Sequence, residues 1–391
     1  ESIFLKYVYK LGLTFRTKIS TTLDFNQGYK GGNKTLDDIM ECFVSEALEA
    51  YWKGVQGPYE CGNFFLVFLR QEGDLPAQAK IWHLERSFTN FPNPMCCRCM
   101  ADGYEIDFAD LRLNATWRST SYMIKPWGTT SPMHNLPGGT EEIFLAKDLF
   151  HLSNLGITRT FVASLICYLV SLGFFTDPDG GNSIPSRLNQ AYRDFRDYCR
   201  MTRETPDIKH FSRDGFRWKT PTSFPESSMK GSDTRLILKW LMDFLSMPWS
   251  LNDVLLSALA AGNGMDAFHR LCFSAENRVW LSTAETHKAA EHLGSFMVHY
   301  YAAAKLCFGQ RKLFFNLTPK YHYMLHLHDD LVLHEGQEYS INPAIWSTQM
   351  DEDYVGVTSR MSRSCHQSTV AFRTGDRWLV STYQKWRCAA T

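Results

Sequence analysis

Residues 93–103 read NPMCCRCMADG, placing Cys96 and Cys99 in the C-x-x-C spacing that grips a zinc ion. A structural zinc takes four protein ligands, and the chain holds no second C-x-x-C. The pair that can complete the set lies in PKYHYMLHLHDD, 319–330, where His322 and His326 stand four apart and so share one face of a helix, with His328 to spare. More than 220 residues separate the two pairs. Such a set is a clasp between distant parts of a fold rather than a finger, and it constrains the topology more than any other feature of the chain. The alternative is that the cysteines are core thiols and the histidines cap helices or hydrogen-bond.

Bulk composition narrows the classes. Lysine plus arginine balance aspartate plus glutamate at 41 each, so binding to nucleic acid or an anionic membrane has to come from a local patch. The chain is 391 residues long and 44% hydrophobic, enough for a large core or for a catalytic core carrying an insertion. Its eleven cysteines are odd in number and mostly scattered, which suits reduced thiols better than a disulfide framework. Asn33, Asn114 and Asn316 open N-x-T triplets that matter only in a secreted protein. The longest apolar run, 161–175, falls short of the roughly 20 residues of a membrane span and reads as a core helix, with no membrane role. The chain opens at Glu1 with no signal or transit peptide pattern, as a fragment would.

Local patterns give the order of elements. Thr35 can cap a helix running to about Lys53, with Asp38 in capping-box position and Gly54 as its stop. NFFLVFLRQ, 63–71, is a continuous apolar run that reads as a fully buried strand, with Asp74 just past its end, where many α/β enzymes hold a metal. Residues 90–140 are rich in turn formers and read as irregular loops. Helices are expected over 186–201, 233–246, 251–273 and 283–307, with Ser282 and Glu285 forming a capping box. The expected organisation is an N-terminal part over 1–140, a helical block over 141–310 and a mixed C-terminal part over 311–391.

Three further groups carry candidate chemistry. Asp148 and His151 in KDLFH are spaced i, i+3, so on a helix they can bind a metal or orient an imidazole; an acid at a helix start with an exposed histidine explains them equally well. The stretch IKHFSRDGFRWK, 208–219, interleaves Lys209, Arg213, Arg217 and Lys219 with Phe211, Phe216 and Trp218, as a phosphate-gripping, base-stacking segment would, or a connector packed on the surface. Arg360 and Arg363 follow the acidic QMDEDYV segment and add a second basic group.

The order along the chain is acid, C-x-x-C, helical block, H-x-x-x-H, acid. GDLPA followed by CCRC, then KDLFHLSNLGITR, KYHYMLH and DEDYV, resembles the catalytic core of CACTA (TNP2-like) cut-and-paste DNA transposases. The resemblance covers roughly residues 60–370 as short islands. It implies an α/β, RNase H-like core with a large, mostly helical insertion and a Cys2His2 zinc clasp. It also implies a transposon-derived, nuclear protein that acts on DNA as a homo-oligomer, cleaving and joining strands with Mg²⁺ or Mn²⁺ held by three carboxylates. Asp74 would be the second of these and Glu352 the third, with Asp351 and Asp353 beside it; Asp148 sits at a characteristic motif position. Asp24 is the stand-in for the first, unless the chain begins downstream of it. A descendant that keeps the fold without the chemistry is the runner-up, and a zinc hydrolase built on Asp148 and His151 is the third reading.

Overall fold

The computed structural model describes residues 34–57, 62–176, 181–220, 222–274 and 279–389, with the side chains of 35, 350–356, 367, 371, 385, 386, 388 and 389 also outside the description. Asp24 therefore lies outside the described residues. The fold is mostly helical. Helix α1 (Lys34–Trp52) ends where Gly54 takes a left-handed φ of +75°, close to the expected stop. A short hairpin follows, β1 (Val55–Gln56) against β2 (Asn63–Phe64), and then helix α2 (Leu75–Ile81).

The segment after β2 departs from the sequence reading. A fully buried strand needs ladders on both edges and cover on both faces. Among the described residues, 65–71 runs extended with Phe65, Val67 and Leu69 exposed and Leu66 and Phe68 turned to the core. Its backbone is tied at the two ends. Leu66 N–H donates to Ala50 O, while Gln71 N–H donates to Phe144 O and Gln71 O accepts from Ala146 N–H. That last pair is a parallel bridge, Gln71 to Leu145. The segment therefore alternates between core and solvent without joining a sheet among the described residues, apart from the single bridge at Gln71. Among the described residues the sheets are two-stranded ribbons only, so the multi-stranded sheet of an RNase H-like core is not seen there.

Residues 82–147 are loops and single turns, including the one-turn helix α3 (Thr116–Ser119). A wide π-type turn over Phe150–Ile157 then leads into α4 (Thr158–Ser171). The span Phe150–Ser171 is long and apolar enough to cross a membrane by length and composition, yet 83% of its apolar window is buried inside the fold. This is the core helix that the short apolar run predicts. Around it pack α5 (Ile184–Thr202), α6 (Gly231–Leu245), α7 (Asp253–Cys272) and α8 (Thr283–Gly309). The face of α5 with Leu188, Ala191, Phe195 and Cys199 is buried as its 3.6-residue period demands, whereas Tyr192 is only half-buried. At the start of α8 the expected capping box forms, Ser282 Oγ accepting from Glu285 N–H and Glu285 Oε2 accepting from Ser282 N–H. Helix α9 (Pro319–His334) lies along α8, followed by the ribbon of β3 (Trp280–Ser282) with β4 (Tyr339–Ile341), and by helices α10 (Gln349–Ser362) and α11 (Val370–Ala389).

Candidate metal centre

Helix α9 starts on Pro319, whose fixed φ suits a first helical position. One turn later His322 and His326 project from the same face and are fully buried. The loop carrying Cys96 and Cys99 meets them there: the four ligand atoms lie within 4.8 Å of one another. His322 Nε2 is 3.1 Å from Cys99 Sγ, and His326 Nε2 is 3.3 Å from Cys96 Sγ and 3.4 Å from Cys99 Sγ. A tetrahedral zinc with bonds of about 2.3 Å to sulfur and 2.0–2.1 Å to nitrogen sets its sulfur–nitrogen edges near 3.5 Å. The buried Cys2His2 cluster therefore fits structural zinc. Four protein ligands leave no coordination position for a substrate, so the site braces the fold rather than catalyses.

The surroundings prepare these side chains. His322 Nδ1 lies 2.8 Å from Phe108 O, and a carbonyl only accepts, so the proton sits on Nδ1 and the Nε2 lone pair faces the sulfurs. Burial and the neighbouring His322 push the His326 pKa far down, which keeps the imidazole in its neutral, metal-binding form. Arg98 N–H donates to Cys96 Sγ. The Trp117 ring of α3 stands 4.8 Å from both imidazoles and closes the site to water. Cys97, between the ligands, is held as a thiol by the adjacent Cys96 sulfur and by burial.

One turn beyond His326 lies a group that the sequence reading missed. Asp330 accepts from Arg98 Nη1 at 2.5 Å and from Lys147 Nζ at 3.3 Å, Arg98 also pairs with Glu142, and Arg118 pairs with Asp329. Burial pushes the Asp330 carboxyl up, but Lys147 and Arg98 outweigh it and hold its pKa at about 2. Arg98, just before Cys99, thus ties the cysteine loop by charge to the helix that bears the two histidines. His328 is no ligand; its Nδ1 faces Asp329 at 3.5 Å.

The candidate carboxylates gather at the other end of α9. The parallel bridge joins Gln71 to Leu145, and an aspartate follows three residues later on each segment, Asp74 and Asp148. Both act electrostatically on Lys320, whose pKa is pushed down to about 8 by burial and Arg159 and drawn back up by Asp148 and Asp74. Gly156 allows this approach: a Cβ there would meet Lys320 Cδ at 2.8 Å and His151 O at 2.7 Å.

The two aspartates differ in use. Asp74 Oδ1 caps α2 by accepting from Ala77 N–H at 2.7 Å. Asp148 accepts the N–H groups of Phe150, His151 and Thr348 on one oxygen, and His151 Nδ1 and the Thr348 hydroxyl on the other. Burial raises its pKa, but the bonds from His151 and Thr348 outweigh that and lower it. Of the two uses its spacing allows, Asp148 here takes that of orienting the His151 imidazole. It is a positioning residue that ties His151 to Thr348, the residue before α10, and α10 carries 351–353. Thr348→Val should cost about 1 kcal/mol and Asp148→Ala at least ~2 kcal/mol, because the alanine strands several buried donors. Urea melts of the two variants check this order.

The basic candidates separate likewise. Trp218 is 5% exposed and packs on Phe314, while Phe211 and Phe216 sit in the core with Phe195 and Trp240, so these aromatics are closed to bases. Arg213 spends its guanidinium on the carbonyls of Trp218 and Lys219, and Arg217 pairs with Glu226 at 3.3 Å. Lys209, Lys219, Arg360 and Arg363 are exposed. Glu352 lies on α10, with its side chain outside the described residues. No family model, curated protein or solved structure matches this chain.

Proposed function

We propose that this chain is a transposase-like enzyme of DNA, cleaving and transferring strands by divalent-metal-dependent phosphoryl transfer. The observation that carries the reading is the delivery of Asp74 and Asp148 from the ends of two parallel-bridged segments to one edge, with the start of α10 bound to Asp148. In parallel α/β architectures ligands bind beyond the carboxyl ends of the strands, which in this reading is the edge that carries Asp74, with Thr348 at the start of α10 bound to Asp148. In this reading 63–71 and 144–146 are neighbouring strands of an RNase H-like core. Asp74 and Glu352 would hold Mg²⁺ or Mn²⁺, Asp74 through the carboxylate oxygen that does not cap α2, and Asp148 would set the position of α10. Bound there, the metals would activate the attacking oxygen and neutralise the leaving one. Nuclear location, origin from a transposon and action as a homo-oligomer on paired DNA ends belong to the same proposal.

The second reading is a zinc-braced DNA- or protein-binding descendant without catalysis. The hydrogen bonds that Asp148 already accepts and the capping role of Asp74 favour it. Nicking of supercoiled plasmid in Mg²⁺ or Mn²⁺ separates the two. The enzyme reading expects nicking that falls at least a hundredfold in both Asp74→Asn and Glu352→Gln while DNA binding stays within threefold. Binding without nicking at any metal concentration favours the descendant, and nicking that survives Glu352→Gln overturns the assignment of α10.

A further inference from the structure

A cleft of about 290 Å³ opens between the end of the 65–71 segment, the last turns of α9 and the β3–β4 ribbon. Its size is near the lower limit for ligand sites and admits one flat ring system. The ribbon register pairs Trp280 with Ile341 and Ser282 with Tyr339, so these four share one face while Leu281 and Ser340 turn inward. Trp280 and Tyr339 are 55% and 56% exposed, two large aromatics of the ribbon that line the cleft. Across from them the Arg70 guanidinium lies 5.6 Å from the centre of the Trp346 ring.

Charge decides what would enter. Asp330 lines the cleft, but its oxygens are taken by Arg98 and Lys147, and Glu142 is taken by Arg98. Arg70 forms no ion pair among the described residues, and burial depresses its pKa with only partial compensation from Asp330. Three cations, Arg70, Arg98 and Lys147, face two carboxylates, Asp330 and Glu142, which leaves one positive charge over. The other titratable groups lining the cleft are the Tyr339 phenol and His334, whose Nδ1 faces Asp330 O.

We propose that this cleft is a subsite for one unpaired nucleotide, its base stacked on the Trp280–Tyr339 face and its phosphate drawn by Arg70. The inference rests on the DNA reading above and deepens it: a strand-cleaving enzyme needs to hold single-stranded DNA beside the scissile bond, and aromatic faces next to cations do so without sequence preference. Arg70 lies four residues before Asp74 on the same extended segment, at most about 13 Å of chain away.

The test is fluorescence anisotropy of labelled oligo-dT and of a duplex of equal length, with the full chain and its variants. Trp280→Ala and Arg70→Gln should each weaken oligo-dT binding roughly tenfold, Trp280→Phe should retain most of it, and duplex binding should stay within twofold throughout. Zinc content and thermal melting establish that each variant is folded. Folded variants that bind oligo-dT as the parent does overturn the subsite while leaving the DNA reading standing, and so does an equal loss of single-strand and duplex binding. A parent chain that binds neither DNA sinks the DNA reading itself, and the subsite with it.

Discussion

Purified protein should carry about one zinc per chain, and Cys99→Ser or His326→Ala should each remove it together with cooperative folding. Structural zinc in small domains supplies apparent binding energies of roughly 10–16 kcal/mol, and whole domains are stable by only about 5–15 kcal/mol. The four ligand atoms are fully buried, so losing one also leaves an uncompensated thiolate or imidazole in the core. Cys97→Ser and His328→Ala are the controls: both neighbour the ligands in sequence, neither joins the cluster, and both should retain the metal. Metal analysis reads the stoichiometry, and cobalt substitution reads the geometry by the visible band of a tetrahedral sulfur–nitrogen site. Full zinc content in either ligand variant would show that the two pairs do not share an ion.

The second large effect is Asp330→Asn, expected to destabilise by about 3–5 kcal/mol, the usual result of removing one partner from a buried ion pair. The amide keeps the shape but leaves the buried Lys147 without a counter-charge and Arg98 with Glu142 alone. Asp330→Leu combined with Lys147→Met should recover part of the loss, because a well-packed apolar pair replaces a buried ionic one at little cost. The sign with pH follows from the carboxyl being held at about 2, below its ordinary 3.8. Its contribution is complete above about pH 4 and fades as the pH falls toward 2. Denaturant melts at neutral pH measure the difference; a loss under about 1 kcal/mol would place the network in solvent-screened surroundings.

The clasp was readable in the sequence because ligand chemistry is strict: few arrangements put two cysteines three apart and two histidines four apart, and each spacing carries its own geometry. Helices α5 and α8 were readable for a related reason, since period and capping box are local signals. The segment 63–71 was not. A continuous apolar run reads the same whether one face or both are covered, and only the tertiary partners decide. The interleaved cations and aromatics of 208–219 misled in the same way, because a half-buried connector alternates outward charge with inward rings. The Asp330 network had no local signature at all, as its partners stand 183 and 232 residues away. Nor could spacing reveal that Asp148 serves Thr348, 200 residues downstream.

Cys99 and His322 meet across 223 residues of chain, so a zinc bound there would turn the helical block into a closed ring. By the chain-entropy estimate used for disulfides, a link across that many residues removes about 5 kcal/mol of disorder from the unfolded chain. The ring has a direction in time as well. Closing a loop of that length in the unfolded chain carries the same entropic cost, so an ion is taken up most readily once the helices between its ligands have docked. In a cell, zinc supply would then govern how long a finished molecule lasts more than how fast it forms.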